Sequence, residues 1–438
     1  MNKEIFRIAV PNIISSITVP LMGIFSTAIA GHCGDSAATI GALAIGVSIF
    51  NFIYWNCSFI RMGTSGITAQ AFGAQDFETT TAMLVRAVGI SAILGVLVLV
   101  LQYPLGELSL WMMNGSKMVS DYFYARIWAV PAGIMLFGLN GWFTGMQNAV
   151  IPMWTSIFIN VLHVLLSLWF VFGFDMGITG IAYASVVAQW SGMLLSLLLL
   201  VVYFRKTLHR VDVAKVLDMS ALKEFFKVNG DIIIRTFCIV MVYTFFTAAS
   251  ARMGSDIVLA VNTMLLQLFT LFSYMNDGFA YAAEALTGRF VGAKDELSLR
   301  QCIKRCVVWA LGTAVVCIVI YLFWWKNILG LFVGEESQLP QILEVAQRYI
   351  GWVIAIPMAA ALPFLMDGIM VGATLTRILR NSMLISTVAY FGLYYSLYPF
   401  IGNNALWLAF TAYMALRGIA QYFMSDRLAM VYDKSSTQ

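Results

Sequence analysis

The chain is poor in charge. Lysine, arginine, aspartate and glutamate together make up 11% of its 438 residues, whereas a soluble domain carries about 25%. Hydrophobic residues account for 61%, and they occur in runs of roughly 20 or more, the length that one helix needs to cross a bilayer. This excludes a soluble globular protein and predicts an all-α integral membrane protein.

Cysteine and histidine are also scarce. The six cysteines are scattered, and there are three histidines. Cys302 and Cys306 are four residues apart, but no second ligand pair lies nearby in the sequence. We therefore interpret the cysteines as packing residues and predict neither a disulfide framework nor a zinc site. The sequence has no H-E-x-x-H motif or similar catalytic constellation, so we do not expect an enzyme.

Long apolar segments are abundant. The first is interpreted as a membrane helix rather than a cleaved signal, because Pro11 and Pro20 interrupt it and its apolar region continues to Ala30. An even number of spans places both termini on one side. Twelve membrane helices are predicted, near 8–30, 37–66, 83–104, 122–146, 151–172, 178–204, 229–251, 256–286, 303–325, 345–371, 381–400 and 404–424.

Lysine and arginine are distributed unevenly over the connections. With both termini cytoplasmic, eighteen fall on the cytoplasmic side and five outside, and three lie in or near apolar segments. Cytoplasmic loops carry an excess of these residues. We therefore predict a multi-pass protein of the inner (cytoplasmic) membrane with both termini in the cytoplasm.

The two halves of the chain resemble each other. "RMGTSGITAQAFGAQD" (61–76) aligns without a gap with "AYAAEALTGRFVGAKD" (280–295), and "GLNGWFTG" (138–145) resembles "FLMDGIMVG" (364–372). Parallel repeats of this kind are typical of carriers that rock two halves around a midplane site. The predicted domains are an N-terminal six-helix lobe of 1–204, a cytoplasmic linker of 205–228, a C-terminal six-helix lobe of 229–427 and a cytoplasmic tail of 428–438.

Ionisable residues within the apolar segments are concentrated in the second half. Such a residue costs about 3 kcal/mol at the centre of a bilayer and is therefore a functional candidate. A buried carboxyl can exchange a proton near neutral pH. The candidates for cation coupling are Asp231, Asp277, Glu284 and Asp367, with Arg235 as their partner.

Three alternatives remain open for these residues. Asp231 and Arg235 are four residues apart, so they could form a helix-end ion pair without a transport role. Glu284 could be solvated at the cytoplasmic end of its helix. Asp277 and Asp367 each precede a glycine, which predicts either a loosened helix that lines a cavity or a kink with a solvated acid.

Further polar and aromatic residues are predicted to line a substrate cavity. Core packing is the alternative for the aromatic residues, and a satisfied interior position is the alternative for the histidine. The predicted cavity residues are Ser26, His163, Asn262, Gln267, Asn276, Phe279 and Tyr281.

Several segments resemble the multidrug and toxic compound extrusion (MATE) family, and within it the DinF-like branch. They are "FIRMGTSGITAQAFGA" (59–74), "NGDIIIRT" (229–236), "LAVNTMLLQLFTLFSYMNDGFAYAAEAL" (259–286) and "MDGIMVGATLTRILRNSML" (366–384). The resemblance implies twelve transmembrane helices in two pseudo-symmetric six-helix bundles. It also implies alternating access, with export of amphipathic or cationic organic compounds in exchange for H⁺ or Na⁺ and no other cofactor.

The N-terminal half departs from the family pattern. Ser26, in "FSTAIAGH", stands where many relatives carry an acid, and His163 and Ser167 stand where relatives often have asparagine and aspartate. The resemblance therefore implies coupling through the C-terminal carboxylates, with His163 as the only titratable group in the N-terminal cavity.

The main expectation is thus a secondary active antiporter. The alternative is a flippase for a lipid-linked precursor or polysaccharide, built on a related superfold. That function requires a basic central cavity, and the sequence places few arginines inside the membrane. The expected partners are a small organic substrate and the lipid bilayer, without nucleic acid, and we expect a monomer.

Overall fold

The computed structural model describes residues 1–33, 36–113, 115–209, 213–330 and 339–424. Within these ranges the chain forms helices joined by short turns, without a strand. A backbone in lipid has no water to bond with, so each apolar segment must satisfy its own N–H and C=O groups. The helical structure follows from this requirement and confirms the predicted all-α class.

The described part of the first half of the chain forms nine α-helices. They are α1 (Asn2–Ala30), α2 (Ser36–Cys57), α3 (Phe59–Gly73), α4 (Phe77–Val100), α5 (Gln102–Met113), α6 (Lys117–Arg126), α7 (Val130–Gly145), α8 (Val150–Leu168) and α9 (Gly177–Phe204). A 3₁₀ turn, Ile127–Ala129, joins α6 to α7, and a π-helical segment, Trp169–Gly173, continues α8.

The second half begins with a short helix and continues with long ones. They are α10 (Val213–Val216), α11 (Met219–Ala251), α12 (Asp256–Gly292), α13 (Glu296–Gly330), α14 (Leu339–Gln347), α15 (Ile350–Gly372), α16 (Thr376–Ile401) and α17 (Asn403–Met424). The sequence did not predict α5, α10 or α14, which have 12, 4 and 9 residues and are too short to span a bilayer.

Eleven helical segments of the described chain are long and apolar enough to cross a membrane. They overlap the first eleven predicted spans in order, and α2 with α3 forms the second of them. The twelfth predicted span, 404–424, is helix α17, which has 22 residues, carries Arg417 and lies outside these eleven.

Packing divides the chain into two compact units. One consists of Val10–Asn229, here called the N-terminal unit; the other, the C-terminal unit, consists of Met1–Ala9 and the chain from Gly230 onward. The predicted lobes began at 1 and 229, so the observed division differs at the start of α1 and in the predicted linker. The predicted tail, 428–438, lies outside the described residues.

The predicted linker packs against the start of α4. Arg86 is buried and donates from Nε to the carbonyl of Val216 at 2.8 Å and from Nη2 to the carbonyl of Lys215 at 2.5 Å. The Lys215 ammonium lies 2.8 Å from Glu78, and the His209 ring stacks on Phe77. These contacts explain why the described part of this segment belongs to the N-terminal unit.

The beginning of α1 packs within the C-terminal unit for a similar reason. The Phe6 ring meets Phe279 and Trp309 edge to face, with centroids 6.1 and 4.6 Å apart. Arg289 donates to Glu4 at 3.1 Å. These contacts tie the first nine residues to α12 and α13.

Helices α3 and α12, which lie at equivalent positions of the predicted repeat, end in the same way. After α3 and α12, Gln75 and Lys294 take positive φ angles of 60° and 56°. The next residues, Asp76 and Asp295, donate their backbone N–H groups to carbonyls at 2.9 and 3.0 Å in the preceding turns. This is a Schellman ending, and it occurs at matching positions of the predicted repeat.

The helices that follow also begin alike. Asp76 Oδ1 accepts from the backbone N–H of Thr79 at 2.9 Å, and Asp295 Oδ1 accepts from that of Ser298 at 3.0 Å. Both aspartates thus satisfy a donor that the first turn of a helix leaves free. The shared turn and cap give structural support to the sequence repeat.

Glycines bring α7 close to α3 and α15 close to α12. A Cβ on Gly141 would overlap the carbonyl oxygen of Arg61, and a Cβ on Gly368 would overlap that of Ala280. Arg61 and Ala280 are equivalent in the predicted repeat, as are the two glycines. The same close crossing is therefore built into each unit.

Candidate functional site

Asp367, on α15, is the centre of a buried charged cluster. The residue is 4% exposed. Its Oδ2 accepts from Nε of Arg235 at 2.9 Å and also from the Nη2 groups of Arg235 and Arg417. Its Oδ1 accepts from Nε2 of Gln421 at 2.6 Å. One carboxylate therefore faces two guanidinium groups, so these three side chains carry a net positive charge.

The fold brings these side chains together from three helices. Arg417 and Gln421 are one turn apart on α17, so they share a face of that helix. Gly418 lies between them, and a Cβ there would come within 2.9 Å of Pro363 on α15. The close approach of α17 to α15 places Arg417, which is 2% exposed, beside Asp367.

Asp231, on α11, belongs to a second buried pair. Its Oδ1 accepts from Nη1 of Arg380 at 2.6 Å, and its Oδ2 accepts from the Thr376 hydroxyl at 3.0 Å. Thr376 and Arg380 are one turn apart at the start of α16. The sequence allowed an ion pair between Asp231 and Arg235. In the structure Asp231 pairs with Arg380 on α16, and Arg235 pairs with Asp367 on α15.

Glu284 and Asp277 lie on α12, which packs against α15. Glu284 is 1% exposed, so the structure contradicts a solvated position for it. Asp277 is half-buried. Both α12 and α15 run without interruption through the two Asp-Gly pairs, so neither helix is loosened there. On α15 the glycine, Gly368, instead permits the close crossing with α12.

Asn262, a predicted cavity residue, lies in the interior of the C-terminal unit. Its amide nitrogen donates to Ser250 at 2.8 Å and to Asn403 at 2.9 Å. Its amide oxygen accepts from Asn403 at 3.0 Å and from Trp407 at 2.9 Å. These hydrogen bonds tie α12 to α11 and α17.

The other predicted cavity residues of α12 are divided between interior and surface. Asn276 is buried and donates to the carbonyl of Ala361 at 3.1 Å. Phe279 is buried, as the packing alternative required. Tyr281 is half-buried, and Gln267 is exposed. The structure does not gather these four side chains into one place.

Comparisons with known proteins identify the chain. The MatE family model matches residues 11–169 and 232–396, one stretch in each half. The chain belongs to the MATE family.

Individual relatives agree with this assignment. The chain is 34% identical to DNA damage-inducible protein F of Escherichia coli (strain K12), over 96% of this chain and 91% of the relative. This similarity confirms the predicted DinF-like branch. The chain is therefore a multidrug and toxic compound efflux transporter and not an enzyme, as the sequence predicted.

Solved structures confirm the fold. An outward-facing multidrug resistance MATE family transporter of the MOP superfamily superimposes with a TM-score of 0.87 at 17% identity, covering 99% of this chain and 96% of that one. A MOP superfamily transporter from Pyrococcus furiosus also gives 0.87, at 16% identity, covering 98% and 96%.

The N-terminal unit of this MATE transporter buries the three residues at which the sequence departs from the family pattern. Ser26, His163 and Ser167 are 7%, 3% and 0% exposed. Nδ1 of His163 and Oγ of Ser167 have no hydrogen-bond partner among the described residues. These three side chains offer two hydroxyls and an imidazole, in contrast to the carboxylates of the C-terminal unit.

Four residues of the buried charged pairs were missed as site residues. Arg417 was noticed only as an arginine near an apolar segment, and Arg380 was counted as a cytoplasmic loop residue. Thr376 and Gln421 carried no signal of their own. The available signal was the helical spacing of four between Arg417 and Gln421, and between Thr376 and Arg380, which places each pair on one face.

Proposed function

We propose that this MATE transporter is a secondary active antiporter that exports amphipathic organic compounds, cationic ones included, in exchange for H⁺ or Na⁺. The observation that carries the proposal is the burial of Asp231, Glu284 and Asp367, which are 5%, 1% and 4% exposed. Carboxylates at this depth are costly in a membrane protein. A role in ion coupling explains why this efflux transporter keeps carboxylates in its interior despite that cost.

In the proposed mechanism the coupling ion competes with arginine for a carboxylate. Asp367 accepts from Arg235 on α11 and Arg417 on α17. A proton or Na⁺ that reaches Asp367 weakens its attraction to at least one of these guanidinium groups. Because the two arginines lie on different helices, ion binding then favours a different packing of α15 against α11 and α17.

Glu284, Asp277 and Asp231 complete the proposed coupling set. Glu284 and Asp277 lie two turns apart on α12, which packs directly on α15. We place the exchangeable coupling ion on these two carboxylates and at Asp367. Asp231, held by Arg380 and Thr376, links the same movement to α16. No cofactor other than the coupling ion is required.

The orientation follows from the distribution of charge. The sequence assigns eighteen lysines and arginines to the side of the termini and five to the other, and one of those five, Arg126, is buried within a span. From this excess we infer cytoplasmic termini and a location in the inner membrane. The proposed unit of transport is a monomer. A C-terminal fusion to a reporter that is active only in the cytoplasm tests the orientation, and an inactive fusion would reverse it.

Transport in reconstituted vesicles tests the antiport. Purified protein is incorporated into lipid vesicles, and uptake of the cationic dye rhodamine 123 is followed by fluorescence under a pH gradient or a Na⁺ gradient alone. Uptake driven by only one gradient supports antiport and identifies the ion. If uptake without a gradient equals uptake with either gradient, transport is not coupled to H⁺ or Na⁺. Arg300→Gln serves as the control, because Arg300 is an exposed residue on α13, 75% accessible.

A further inference from the structure

Within the residues that the structure describes, the N-terminal unit buries an arginine that no carboxylate pairs with. Arg126, at the end of α6, is 9% exposed. Among the residues that the structure describes, no ion pair includes it. It lies nine residues into the span Lys117–Gly145, about 14 Å along the helix axis. A buried charge without a counter-charge costs several kcal/mol, so its presence needs an explanation.

The contacts of Arg126 orient the guanidinium but leave it charged. Its Nη1 donates to the Tyr122 hydroxyl at 2.5 Å. Its central carbon lies 4.8 Å from the centre of the Phe50 ring, a cation–π contact. Its Nε, which is buried, has no partner among the described residues. At least one donor of the guanidinium group is therefore unsatisfied.

The other buried arginine of this unit has a different environment. Arg86 uses Nε and Nη2 on two backbone carbonyls. Packing of the predicted linker therefore accounts for Arg86. In the described structure neither a carboxylate nor a backbone carbonyl accepts a hydrogen bond from the Arg126 side chain.

No acid of the described N-terminal unit is available to neutralise Arg126 from the interior. Every carboxylate that the structure describes between residues 10 and 229 is exposed. These residues are Asp76, Glu78, Glu107, Asp121, Asp175, Asp218 and Glu224. The buried charged side chains of the described N-terminal unit are therefore the cations Arg86 and Arg126.

Further unpartnered polar atoms accompany the guanidinium. The Tyr54 hydroxyl and the His163 ring lie within electrostatic range of Arg126. The Tyr54 hydroxyl and Nδ1 of His163 are buried and lack a hydrogen-bond partner among the described residues. Buried polar atoms are rarely left without partners, so these atoms and the charge of Arg126 mark this part of the unit as a candidate binding site.

We propose that Arg126, held by Tyr122 and Phe50 and accompanied by Tyr54 and His163, is a binding site for the anionic group of a small amphipathic substrate. A guanidinium fork matches a carboxylate or phosphate group, and the buried rings of Phe50 and Phe123, whose centroids are 5.6 Å apart, make the environment of Arg126 apolar. The proposal rests on the export function and specifies a substrate class for it, an organic anion with an aromatic or aliphatic body.

Equilibrium binding of two dyes tests the site without any ion gradient. Fluorescein and rhodamine 123 share a xanthene ring system and carry opposite charges. Each is titrated with the full-length protein in phosphatidylcholine nanodiscs, and fluorescence anisotropy gives the dissociation constant. We expect the unmodified protein to bind fluorescein and Arg126→Gln to bind it at least about tenfold more weakly, since a desolvated charge-assisted bond is lost.

Two further variants keep the test decisive if Arg126→Gln fails to fold. Arg126→Lys retains the charge but loses the fork, so its affinity for fluorescein should lie between the other two. Tyr122→Phe removes only the hydroxyl that orients Arg126 and should weaken fluorescein binding about two- to fivefold. Arg300→Gln, on an exposed face of α13, is the matched control and should leave both affinities unchanged.

Each result supports or overturns the proposal. It is overturned if fluorescein does not bind, or if it binds equally well to the unmodified protein and the Arg126 and Tyr122 variants. It is also overturned if farnesyl phosphate binds through Arg126 and fluorescein does not, which would instead indicate a lipid-linked ligand and favour a flippase.

The export function fails separately from the anion site. Gradient-driven uptake of rhodamine 123 without fluorescein binding keeps the exporter and rejects the anion site. Fluorescein binding that depends on Arg126, with no gradient driving any dye, keeps the anion site and rejects the exporter.

Discussion

The two units of this transporter share their backbone devices and differ in the charges that they bury. Each has a Schellman ending followed by an aspartate cap, at Asp76 and at Asp295. Each has a glycine crossing, at Gly141 and at Gly368. The C-terminal unit, however, buries three carboxylates, of which Asp231 and Asp367 pair with arginines, whereas among the described residues the N-terminal unit buries Arg126 without a carboxylate partner.

This difference separates fold from chemistry. Helix ends and crossings depend on backbone geometry, which both repeats must preserve in order to pack. Buried charges depend on single side chains, so one substitution changes them without altering the helices. The position of Asp367 in one repeat is held by Asn140 in the other, on an equivalent helix. The fold tolerated this change, and the two interiors acquired different properties.

The largest contrast should come from that pair of positions. Asp367→Asn leaves two buried guanidinium groups without their counter-charge, so we expect a loss of stability of about 3–5 kcal/mol and loss of coupled transport. Asn140→Ala should cost about 1 kcal/mol or less. Thermal unfolding of the purified proteins and vesicle transport measure the two effects.

A second substitution checks the cause. In Asp367→Asn with Arg417→Gln the net charge of the cluster returns to its original value, so part of the stability should return. If the double variant is no more stable than Asp367→Asn alone, charge imbalance is not the reason for the loss.

The arginines near the starts of α4 and α13 provide the next contrast. Arg86 and Arg305 lie ten residues after the ends of the two repeat segments, at Asp76 and Asp295, but Arg86 is buried against two carbonyls and Arg305 is exposed. Arg86→Gln should destabilise the packing of residues 213–228 by about 2–3 kcal/mol. Arg305→Gln should change stability by less than about 0.5 kcal/mol.

Limited proteolysis with trypsin measures this difference. Cleavage after Lys215 should become at least about tenfold faster in Arg86→Gln, because the segment opens more often. Equal cleavage rates in both variants would show that Arg86 does not hold the segment.

The glycine crossings should respond alike in both units. Gly141→Ala and Gly368→Ala each push a methyl group into a backbone carbonyl, so we expect each to cost about 1–3 kcal/mol. Gly312→Ala on α13 is the control, since its Cβ would meet open space and alanine favours a helix by up to about 1 kcal/mol. If only one of these two variants has a lower melting temperature than the unmodified protein, the two units do not share the crossing.

The aspartate caps should give the smallest effects, again in both units. Hydrogen bonds from the Thr79 hydroxyl and backbone N–H lower the pKa of Asp76, and those from Ser298 lower the pKa of Asp295. Asp76→Ala should cost about 0.5–1 kcal/mol, and Asp295→Ala should lower the melting temperature in the same direction.

The pH dependence of these caps follows from the direction of the shifts. A carboxylate whose pKa is lower in the folded state stabilises the protein above its unfolded pKa of about 3.9. The contribution is lost as the pH falls through the lower folded value. The difference in melting temperature between the unmodified protein and Asp76→Ala should therefore shrink below about pH 4. A difference that stays constant down to pH 3 would contradict an ionised cap.

Much of the fold could be predicted from the sequence because its signal is local. A membrane span requires a run of apolar residues, and each predicted span overlaps a helix of the structure. The short helices α5, α10 and α14 were missed, because a segment of 4 to 12 residues has no comparable hydrophobic length. The continuation of α12 to Gly292 was missed because it extends past the apolar run.

The candidate site could be predicted only in part. Asp231, Glu284 and Asp367 were identified as carboxylates in apolar segments, and their burial is observed. Their partners were not all identified, because Arg380 is 149 residues from Asp231 and Arg417 is 50 residues from Asp367. For Asn262 the sequence predicted a cavity position, and it could not show that Asn403, 141 residues away, completes the hydrogen bonds of this side chain.

The sequence by itself determined that this protein spans a membrane, that its two halves repeat, that it belongs to the MATE family and that its acids lie in the second half. Hydropathy, repeat spacing and motif order are properties of the linear sequence, so they can be determined without coordinates. Only the tertiary structure decided which charges face each other: two arginines on Asp367, one on Asp231 and no acid on Arg126 among the described residues. Charge pairing depends on distances of a few ångströms between helices that are far apart in sequence, and only packing sets those distances.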